Sequence, residues 1–296
     1  MDNASRPTRT VGIVGLGLIG GSFARAYRDA GWTVLAHDVD ADTLAIALID
    51  VASGRLTDDT ISSCDLVILS AYPGACIAWL RAHAEALGAA ARAGAGPVVI
   101  DTAGVKGTVC AQAFPLAEQH GFDFVGAHPM AGTENSGFAW ARADLFRGAP
   151  VVLVPPACDD VRRLRLLDRV HAFLAPAGFG TFSVTTPEEH DRVIAFTSQL
   201  AHVVSNAYVK SPTARQHHGF SAGSYRDLTR VAHLNPGMWA ELMCDNAELL
   251  SFEIGHIIDA LSAYRDALDA RDEEGLRMLL AEGDRIKRAL DDAQAR

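Results

Sequence analysis

The sequence lacks the features that mark secreted, metal-stapled or membrane proteins. Its five cysteines are scattered, odd in number and without a Cys-x-x-Cys pair, which excludes a disulfide framework and a structural zinc site. No uncharged apolar run reaches about 18 residues, the length that a membrane-spanning helix needs. The N-terminal segment MDNASRPTRT is polar, so it is not a signal peptide. We therefore predict a cytoplasmic protein with reduced thiols, no metal and no membrane contact.

Basic residues are in the minority. The chain has 26 Lys and Arg against 36 Asp and Glu, a formal net charge of −10, and such a surface repels nucleic-acid phosphates. A local basic pocket for a small anion remains compatible with this charge. The 296 residues are 49% hydrophobic and 21% charged, a composition typical of a globular protein of about two domains.

The first part of the chain alternates between strand-like and helix-like segments. Short apolar runs without polar alternation predict strands, and they lie at residues 11–14, 33–37, 65–70, 97–101, 123–126, 150–154 and 180–184. Amphipathic stretches predict helices between several of them, at residues 20–30, 75–88, 107–120 and 162–174. Continuous apolar strands separated by helices indicate a parallel sheet that is covered on both faces.

The pattern changes after Thr186. Residues 188–209 carry apolar side chains at helical spacing, a long helix is predicted to run from Pro236 through 261, and a last helix covers 276–290. Thr186 as N-cap and Pro187 at the first helical position predict a helix start. We find no strand candidate here, so the second part is predicted to be all-helical. The predicted domains are residues 1–185 and 186–296.

The segment VGIVGLGLIGG contains a Gly-x-Gly-x-x-Gly motif between a predicted strand and a predicted helix. The first glycine permits a tight turn, the second lets a pyrophosphate approach the backbone, and the third lets the helix pack on the strand. Asp38 lies 18 residues after Gly20, at the spacing of the acid that binds ribose hydroxyls and repels a 2′-phosphate. This predicts NAD rather than NADP. The predicted cofactor-binding residues are Gly15, Gly17, Leu18, Ile19, Gly20, Asp38 and Ser70.

His128 follows the predicted strand at 123–126 in a segment rich in Gly and Pro, GAHPMAGTENSG. We predict that this segment is a loop at the edge of the sheet, where open α/β sheets bind ligands. A histidine near its unperturbed pKa is a natural general base for a hydroxyl proton at neutral pH.

Five segments resemble the motifs of prephenate/arogenate dehydrogenases in the order of that family: DTAGVKG (101–107), GAHPMAGTE (126–134), TTPEEHD (185–191), SQLAH (198–202) and YRDLTRVAHLNPGMW (225–239). The resemblance covers the chain from about 11 to 289. It implies a Rossmann-like domain followed by a helical dimerisation domain, and an NAD-dependent oxidative decarboxylation of a small anionic cyclohexadiene. Prephenate would give 4-hydroxyphenylpyruvate, as in tyrosine biosynthesis.

The resemblance also assigns roles to residues. His128 matches the catalytic histidine, and Arg230 matches the arginine that binds the substrate carboxylate, for which a planar guanidinium fork is well suited. Other positions match the substrate pocket of the family: His202, Ser198, Thr133, His190, Gly223, Trp239, Glu134 and Lys106.

Departures from the family motifs leave the substrate open. Gly104 stands where the family usually has a serine near the C4 hydroxyl, and Gln199 and Ala201 stand where His and Pro are common. Loss of the serine hydroxyl favours, as an alternative, a substrate with an amine at C4, namely 4-amino-4-deoxyprephenate. Water in the space at Gly104 would equally retain prephenate. Arogenate is a further candidate.

Two other functions agree less well with the sequence than a prephenate-type dehydrogenase. A general hydroxyacid dehydrogenase would not explain the HPMAGTE segment, and a non-catalytic NAD(H)-binding sensor would not need His128 and Arg230. The apolar stripes along residues 238–261 exceed what a small helical half needs internally, which predicts a homodimer through these helices.

Overall fold

The computed structural model describes residues 8–94, 96–133, 135–216, 219–220 and 222–294. Eight strands form one sheet. They are β1 (Thr10–Val14), β2 (Thr33–His37), β3 (Gly54–Arg55), β4 (Leu66–Leu69), β5 (Val98–Asp101), β6 (Asp123–Pro129), β7 (Pro150–Val154) and β8 (Thr181–Val184). Every strand predicted from an apolar run is present. The two-residue β3 was not predicted, because the dipeptide Gly54–Arg55 carries no apolar run.

The sheet order is β3-β2-β1-β4-β5-β6-β7-β8. All neighbouring strands are parallel except β6 and β7, which are antiparallel, so the prediction of a parallel sheet is correct for six of the seven pairs. Among the described residues of the connection from β6 to β7, the helical structure is limited to one 3₁₀ turn at Phe138–Trp140. A parallel return needs a long crossover, usually a helix, and without one the chain comes back antiparallel.

Six helices accompany the sheet. They are α1 (Leu18–Asp29), α2 (Ala41–Asp50), α3 (Asp58–Ile61), α4 (Pro73–Arg92), α5 (Gly107–His120) and α6 (Asp160–Leu174). Alternate residues of β4 enter different hydrophobic clusters: Leu66 and Ile68 pack in the cluster that includes α1, whereas Val67 and Leu69 pack in the cluster that includes α4. Both faces of the sheet are therefore buried at its centre, which explains why the central strands lack polar alternation.

In the part of the chain that the structure describes, no strand follows β8, so the all-helical prediction for the second part is confirmed. The helices are α7 (Pro187–Ile194), α8 (Ala201–Tyr208), α9 (Gly223–Thr229), α10 (Pro236–Asp245), α11 (Ala247–Asp269) and α12 (Glu273–Gln294). Thr186 caps α7 as predicted, since its hydroxyl accepts a hydrogen bond from the Glu189 N–H at 3.3 Å.

Two details of the helical part differ from the prediction. Between α7 and α8 the chain forms a π-helical segment, Ala195–Leu200, so the predicted helix over 188–209 is interrupted by a wider turn. The prediction of one long helix from Pro236 through 261 is wrong, because α10 ends at Asp245 and α11 begins at Ala247. The buried side chain of Asn246 donates to the Asp191 carbonyl at 2.9 Å and to Gln199 Oε1 at 2.8 Å, which fixes this break.

Packing divides the chain into two compact units, one up to Asn246 and one from Ala247 onward. The first unit contains the sheet together with α7 to α10, and the second contains α11 and α12. The domain boundary predicted at 185/186 therefore stays a prediction. None of the described helices is both long enough and apolar enough to span a membrane.

Candidate active site

The glycine motif forms a tight turn between β1 and α1. Gly15 has φ +84°, and a β-carbon there would lie 2.6 Å from the Ser70 carbonyl oxygen. A β-carbon on Gly20 would lie 1.8 Å from the Gly15 carbonyl oxygen. A β-carbon on Gly17 would meet nothing within 4 Å, so the backbone at Gly17 is open to an approaching group. The three glycines thus have the separate roles that their spacing predicts.

The first turn of α1 offers unused donors. Its N-cap is Gly17, which has no side chain to cap the helix, and Leu18 and Ile19 begin the helix with partly buried side chains. The N–H groups at a helix start have no intrahelical acceptor, and together with the helix dipole they attract an anion. The open backbone at Gly17 and this helix start fit a dinucleotide pyrophosphate.

Asp38 lies directly after β2 and beside the glycine turn. Its Oδ2 accepts a hydrogen bond from the Leu16 N–H at 2.6 Å, and its Oδ1 accepts one from the Asp40 N–H at 2.8 Å. Ser70 follows β4, and its hydroxyl accepts a hydrogen bond from Thr102 Oγ1 at 3.3 Å. The predicted cofactor residues therefore lie at the carboxyl ends of β1, β2 and β4, along one edge of the sheet.

His128 lies in a strand, and its predicted loop position is wrong. β6 continues to Pro129 because its last residues pair with the antiparallel β7, where His128 is opposite Val152. Since β6 is parallel to β5, His128 lies toward the same carboxyl edge of the sheet as the glycine turn. The strand fixes the backbone of this histidine more firmly than a loop would.

A chain of three side chains starts at His128. Its Nδ1 lies 2.9 Å from Nε2 of His190, whose Nδ1 lies 2.6 Å from Oδ1 of Asp191. His190 and Asp191 are 3% and 5% exposed. The Asp191 carboxylate also accepts hydrogen bonds from the backbone N–H groups of Lys106 and Gly107, both at 2.7 Å. It therefore connects the middle of α7 to the start of α5.

The surroundings keep His128 uncharged. Its pKa lies well below the ordinary value of 6.5, first because burial penalises the imidazolium and then because His190 and Lys106 add positive charge nearby. An uncharged imidazole has a nitrogen lone pair that can accept a proton. His128 can therefore act as a hydrogen-bond acceptor or base at pH values below 6.5.

The structure does not support the predicted contact between Lys106 and a substrate. Lys106 is fully buried, and its ammonium group pairs with the Asp101 carboxylate and donates to the Ala127 carbonyl at 2.8 Å. A buried ammonium is stable only with such partners, and binding a substrate directly would break them. The Lys106 ammonium instead holds the carbonyl of Ala127, the strand residue directly before His128.

One face of α8 holds the chain after α9. The side chains of His202, Ser205 and Asn206 contact the backbone carbonyls of Val231, Leu228 and Ala232 at 3.0, 2.7 and 3.1 Å, respectively. The ring of His202 also packs on Trp239 of α10, with ring centroids 4.0 Å apart.

These three contacts fix the backbone around Arg230. Arg230 is the C-cap of α9 and is exposed, and within the described residues its guanidinium has no hydrogen bond or ion pair. It is therefore available to an anion. Arg230 does not hydrogen-bond to His128, and the convergence of these two groups on one substrate stays a prediction.

The remaining predicted pocket residues lie in different places. Ser198 is partly buried in the π-helical segment, and Gly223 begins α9. Thr133 is exposed, and its Oγ1 accepts from the Asn135 N–H at 3.3 Å. Glu134 lies outside the described residues. No hydrogen bond joins Ser198, Gly223 or Thr133 to His128 within the described part of the chain, and their roles stay predictions.

Gly104, the departure from the family motif, faces α10. A β-carbon there would lie 3.5 and 3.6 Å from the two methyl carbons of Leu242, an ordinary contact distance. The Leu242 carbonyl accepts a hydrogen bond from Gln199 Nε2 at 2.9 Å. The position can therefore hold a serine without a clash, and its glycine is not required by the backbone.

Asp191, Ser205 and Asn206 belong to the site but were not predicted from the sequence. Asp191 lies inside the TTPEEHD segment, directly after His190, and this adjacency of His and Asp was the available signal. The positions 202, 205 and 206 share one helix face by their spacing. This spacing indicates a polar stripe on α8. It does not indicate the hydrogen-bond acceptors, which are backbone carbonyls of residues 228–232.

Two family models match the chain: the prephenate dehydrogenase nucleotide-binding domain over residues 23–177 and the prephenate dehydrogenase dimerization domain over residues 186–282. The chain is 31% identical over 296 residues to a cyclohexadienyl dehydrogenase of Zymomonas mobilis, covering 95% of each chain.

Solved structures are also similar to this chain. A prephenate dehydrogenase from A. aeolicus, in complex with hydroxyphenyl propionate and NAD+, is 29% identical with a TM-score of 0.75, covering 96% of this chain and 99% of that one. An arogenate dehydrogenase of Synechocystis is 26% identical with a TM-score of 0.73, covering 94% and 99%.

Proposed function

The chain belongs to the prephenate dehydrogenase family, and from this premise we propose that its substrate is prephenate, converted to 4-hydroxyphenylpyruvate. The enzyme is an NAD-dependent oxidoreductase of the prephenate type. The observation that carries the proposal is that His128, uncharged and bonded to His190, lies toward the edge of the sheet that holds the glycine turn.

The cofactor is NAD, and residues of this chain fit it. Gly17 and the first turn of α1 would hold the pyrophosphate, and Asp38 would accept hydrogen bonds from ribose hydroxyls. Asp38 would have to share its carboxylate between the ribose and the Leu16 N–H. When bound, the oxidised nicotinamide ring supplies the hydride acceptor.

The role of His128 in the reaction concerns one proton. The nitrogen that does not face His190 is Nε2, and it accepts the hydrogen bond of the C4 hydroxyl. The hydroxyl becomes more acidic as hydride leaves C4, and Nε2 accepts its proton. The ring carboxylate leaves as CO2, the ring becomes aromatic, and the proton returns from Nε2 to the phenolic oxygen. A dianionic substrate and NAD+ thus give a monoanionic keto acid, CO2 and NADH, without net proton release.

The two carboxylates of the substrate require cationic or N–H donors. We assign one to Arg230, because its guanidinium is exposed, unpaired within the described residues and attached to a backbone that α8 holds in place. The fork geometry of the guanidinium suits a carboxylate and limits its rotation. Holding the ring in one orientation is the larger part of the catalysis here, since aromatisation itself is favourable.

Gly104 favours a second candidate, a substrate with an amine at C4. No serine hydroxyl stands at this position, and the neighbouring group is the apolar Leu242. A C4 amine would donate to His128 as a hydroxyl does. The family also includes an arogenate dehydrogenase among the structures similar to this chain, so a side-chain amine is the third possibility to test.

Steady-state kinetics with purified protein test the proposal. NADH formation is measured with prephenate, 4-amino-4-deoxyprephenate and arogenate under identical conditions. We expect the highest kcat/KM for prephenate. A higher value for the amino analogue would replace prephenate by the second candidate. The absence of NADH with all three substrates would overturn the enzymatic function and leave an NAD(H)-binding sensor.

We further propose a homodimer formed through the helical part. In the second compact unit, eight large apolar side chains are more than half exposed: Phe252, Ile258, Leu261, Leu268, Met278, Leu280, Ile286 and Leu290. Exposed apolar surface of this extent is typical of a protein interface. The solution mass at micromolar concentration tests it, and a monomer would contradict it. We also propose a cytoplasmic location, because all five cysteines are free thiols.

A further inference from the structure

We propose that Asp191 is a positioning residue that fixes the tautomer of His128 through His190, so that Nε2 of His128 faces the substrate without a proton. The proposal rests on the proposed function for its chemistry, but the tautomer itself is a property of the protein alone. It adds to the site a residue that does not touch substrate, and it gives a reason why a buried carboxylate lies two side chains away from the reacting atoms.

The first step is the direction of the hydrogen bond between Asp191 and His190. Both carboxylate oxygens of Asp191 accept backbone N–H groups, Oδ1 from Lys106 and Oδ2 from Gly107. Backbone N–H groups can only donate, so the carboxylate is the acceptor on both oxygens. The His190 Nδ1, 2.6 Å from Oδ1, is therefore the donor.

The proton position on His190 determines the proton position on His128. A neutral imidazole carries one proton, so His190 with a proton on Nδ1 has a lone pair on Nε2. This nitrogen lies 2.9 Å from Nδ1 of His128, which must then donate. With its proton on Nδ1, His128 has its lone pair on Nε2. The orientation of a catalytic imidazole by a carboxylate follows the same logic in hydrolase triads, here lengthened by one ring.

The third step concerns the charges around the two rings. Facing them are Asp191 from α7, the Lys106 ammonium from the start of α5, and the Asp101 carboxylate from β5, which pairs with Lys106. Lys106 pairs with Asp101, and its ammonium also donates to the Ala127 carbonyl next to His128. A proton added to the His128 ring would lie near the Lys106 ammonium in a buried region, where a second positive charge is costly.

Asp191 also caps α5, so a purely structural role must be distinguished from the proposed one. The most direct measurement is ¹⁵N NMR of histidine-labelled full-length protein, in which the two ring nitrogens of each neutral tautomer give separate signals. His128→Asn identifies the His128 signals. We expect His128 and His190 to carry their protons on Nδ1. A proton on Nε2 of His128 instead would overturn the proposal, whether or not the enzyme turns over prephenate.

A matched pair of variants separates the two contacts of His190. A glutamine at this position places its amide near the site of Nε2 and can still accept from His128, whereas an asparagine places its amide near Nδ1 and keeps only the contact with Asp191. We expect His190→Gln to retain the His128 tautomer and kcat within about 10-fold. We expect His190→Asn to lose the tautomer preference and roughly 10²-fold or more of kcat, the range of general base effects. Equal kcat and equal tautomers in the two variants would overturn the proposal.

Asp191→Asn completes the test. An amide cannot accept at both oxygen positions, so the preference at His190 is lost; we expect kcat to fall by about 10²-fold or more while the KM for NAD changes little. Unchanged kcat with an unchanged His128 tautomer would overturn the proposal. If this variant fails to fold by circular dichroism, the His190 pair decides alone. Failure of the proposed function would instead appear as an absence of NADH formation by the unmodified enzyme, with the tautomer still measurable.

Discussion

A β-carbon on Gly20 would lie 1.8 Å from the carbonyl oxygen of Gly15, so the start of α1 is pressed directly against the turn that precedes it. Real β-carbons do not approach an oxygen this closely, and the backbone would have to move. Gly17 lies between these two glycines, and a β-carbon on Gly17 would meet nothing within 4 Å. Two glycines of one motif thus serve different purposes, one in folding and one in binding.

This difference predicts opposite behaviour for two alanine variants. Gly20→Ala is expected to lower the melting temperature, at a cost of about 1–3 kcal/mol typical of overpacking. Gly17→Ala is expected to keep the melting temperature and weaken NAD binding by about 10-fold or more, because its methyl group occupies the path of the pyrophosphate. Thermal unfolding and NAD titration measure the two effects, and a Gly17→Ala variant with unchanged NAD affinity contradicts the assignment.

His128→Asn is expected to reduce kcat by roughly 10²–10⁴-fold, the usual contribution of a general base. The affinity for NAD should remain the same, since the cofactor candidates lie on β1, β2 and β4. His171→Asn is the control, because His171 is exposed on α6. Initial rates of NADH formation and NAD titration together measure both quantities, and a kcat within a few-fold of the unmodified enzyme would exclude His128 from the chemistry.

The lowered pKa of His128 predicts the pH dependence of catalysis. Because the ring must be uncharged to accept a proton, kcat/KM should stay level as the pH falls from neutrality through 6.5 and decline only below that value. The decline reflects protonation of a group whose pKa lies well under 6.5. An acidic limb at pH 6.5 or above in the profile of kcat/KM would contradict this prediction. Measuring the pH dependence of substrate binding checks that the limb does not come from titration of the substrate itself.

The same shift predicts a loss of stability in acid. Below about pH 6.5 the unfolded chain takes up a proton at residue 128 that the folded chain refuses, so unfolding binds more protons and the free energy of unfolding falls with decreasing pH. The slope from this residue is about 1.4 kcal/mol per pH unit until the folded pKa is reached. Urea unfolding of the enzyme and of the His128→Asn variant, measured at several pH values below 6.5, isolates the contribution of His128. If the free energies of unfolding of the two proteins fell equally with decreasing pH, the assignment would be refuted.

Arg230→Lys is expected to raise the KM for prephenate by roughly 10-fold or more, with a smaller effect on kcat, because an ammonium cannot form the two parallel hydrogen bonds of a guanidinium. Arg226→Lys, an exposed arginine one turn earlier on α9, is the matched control and should leave the KM unchanged. Equal effects of the two substitutions would indicate a general electrostatic role rather than a contact of Arg230.

Gly104→Ser tests how the enzyme distinguishes substituents at C4. A β-carbon is accommodated at 3.5 Å from Leu242, so the variant should fold. One added hydrogen bond of about 0.5–1.5 kcal/mol would raise the ratio of kcat/KM for prephenate over the amino analogue by roughly 2- to 10-fold. Gly104→Ala controls for volume. A ratio that changes equally in both variants would assign the effect to packing rather than to the hydroxyl.

Local pattern was sufficient for much of the fold. Apolar runs located seven of the eight strands, and helical spacing located the helices after Thr186 except α9, because the period of buried side chains follows from local backbone geometry. Local pattern did not predict the break between α10 and α11 at Asn246, because the helical spacing of apolar residues continues across it. It also did not predict that β6 and β7 are antiparallel. A strand's direction in the sheet depends on the path of the connection rather than on the strand's own residues.

The nucleotide-binding half could be predicted from three glycines whose spacing one turn requires, and the family motifs singled out His128 and Arg230. The surroundings of these two residues depend on how the folded chain packs. His128 and His190 are 62 positions apart, and Lys106 and Asp191 are 85 apart. Long-range contacts of this kind leave no period in the sequence, since each depends on how two distant elements are packed. Lys106 and Asp101 are only five positions apart, but whether this lysine is buried or faces the substrate depends on the elements that cover it, and those are not visible in the sequence.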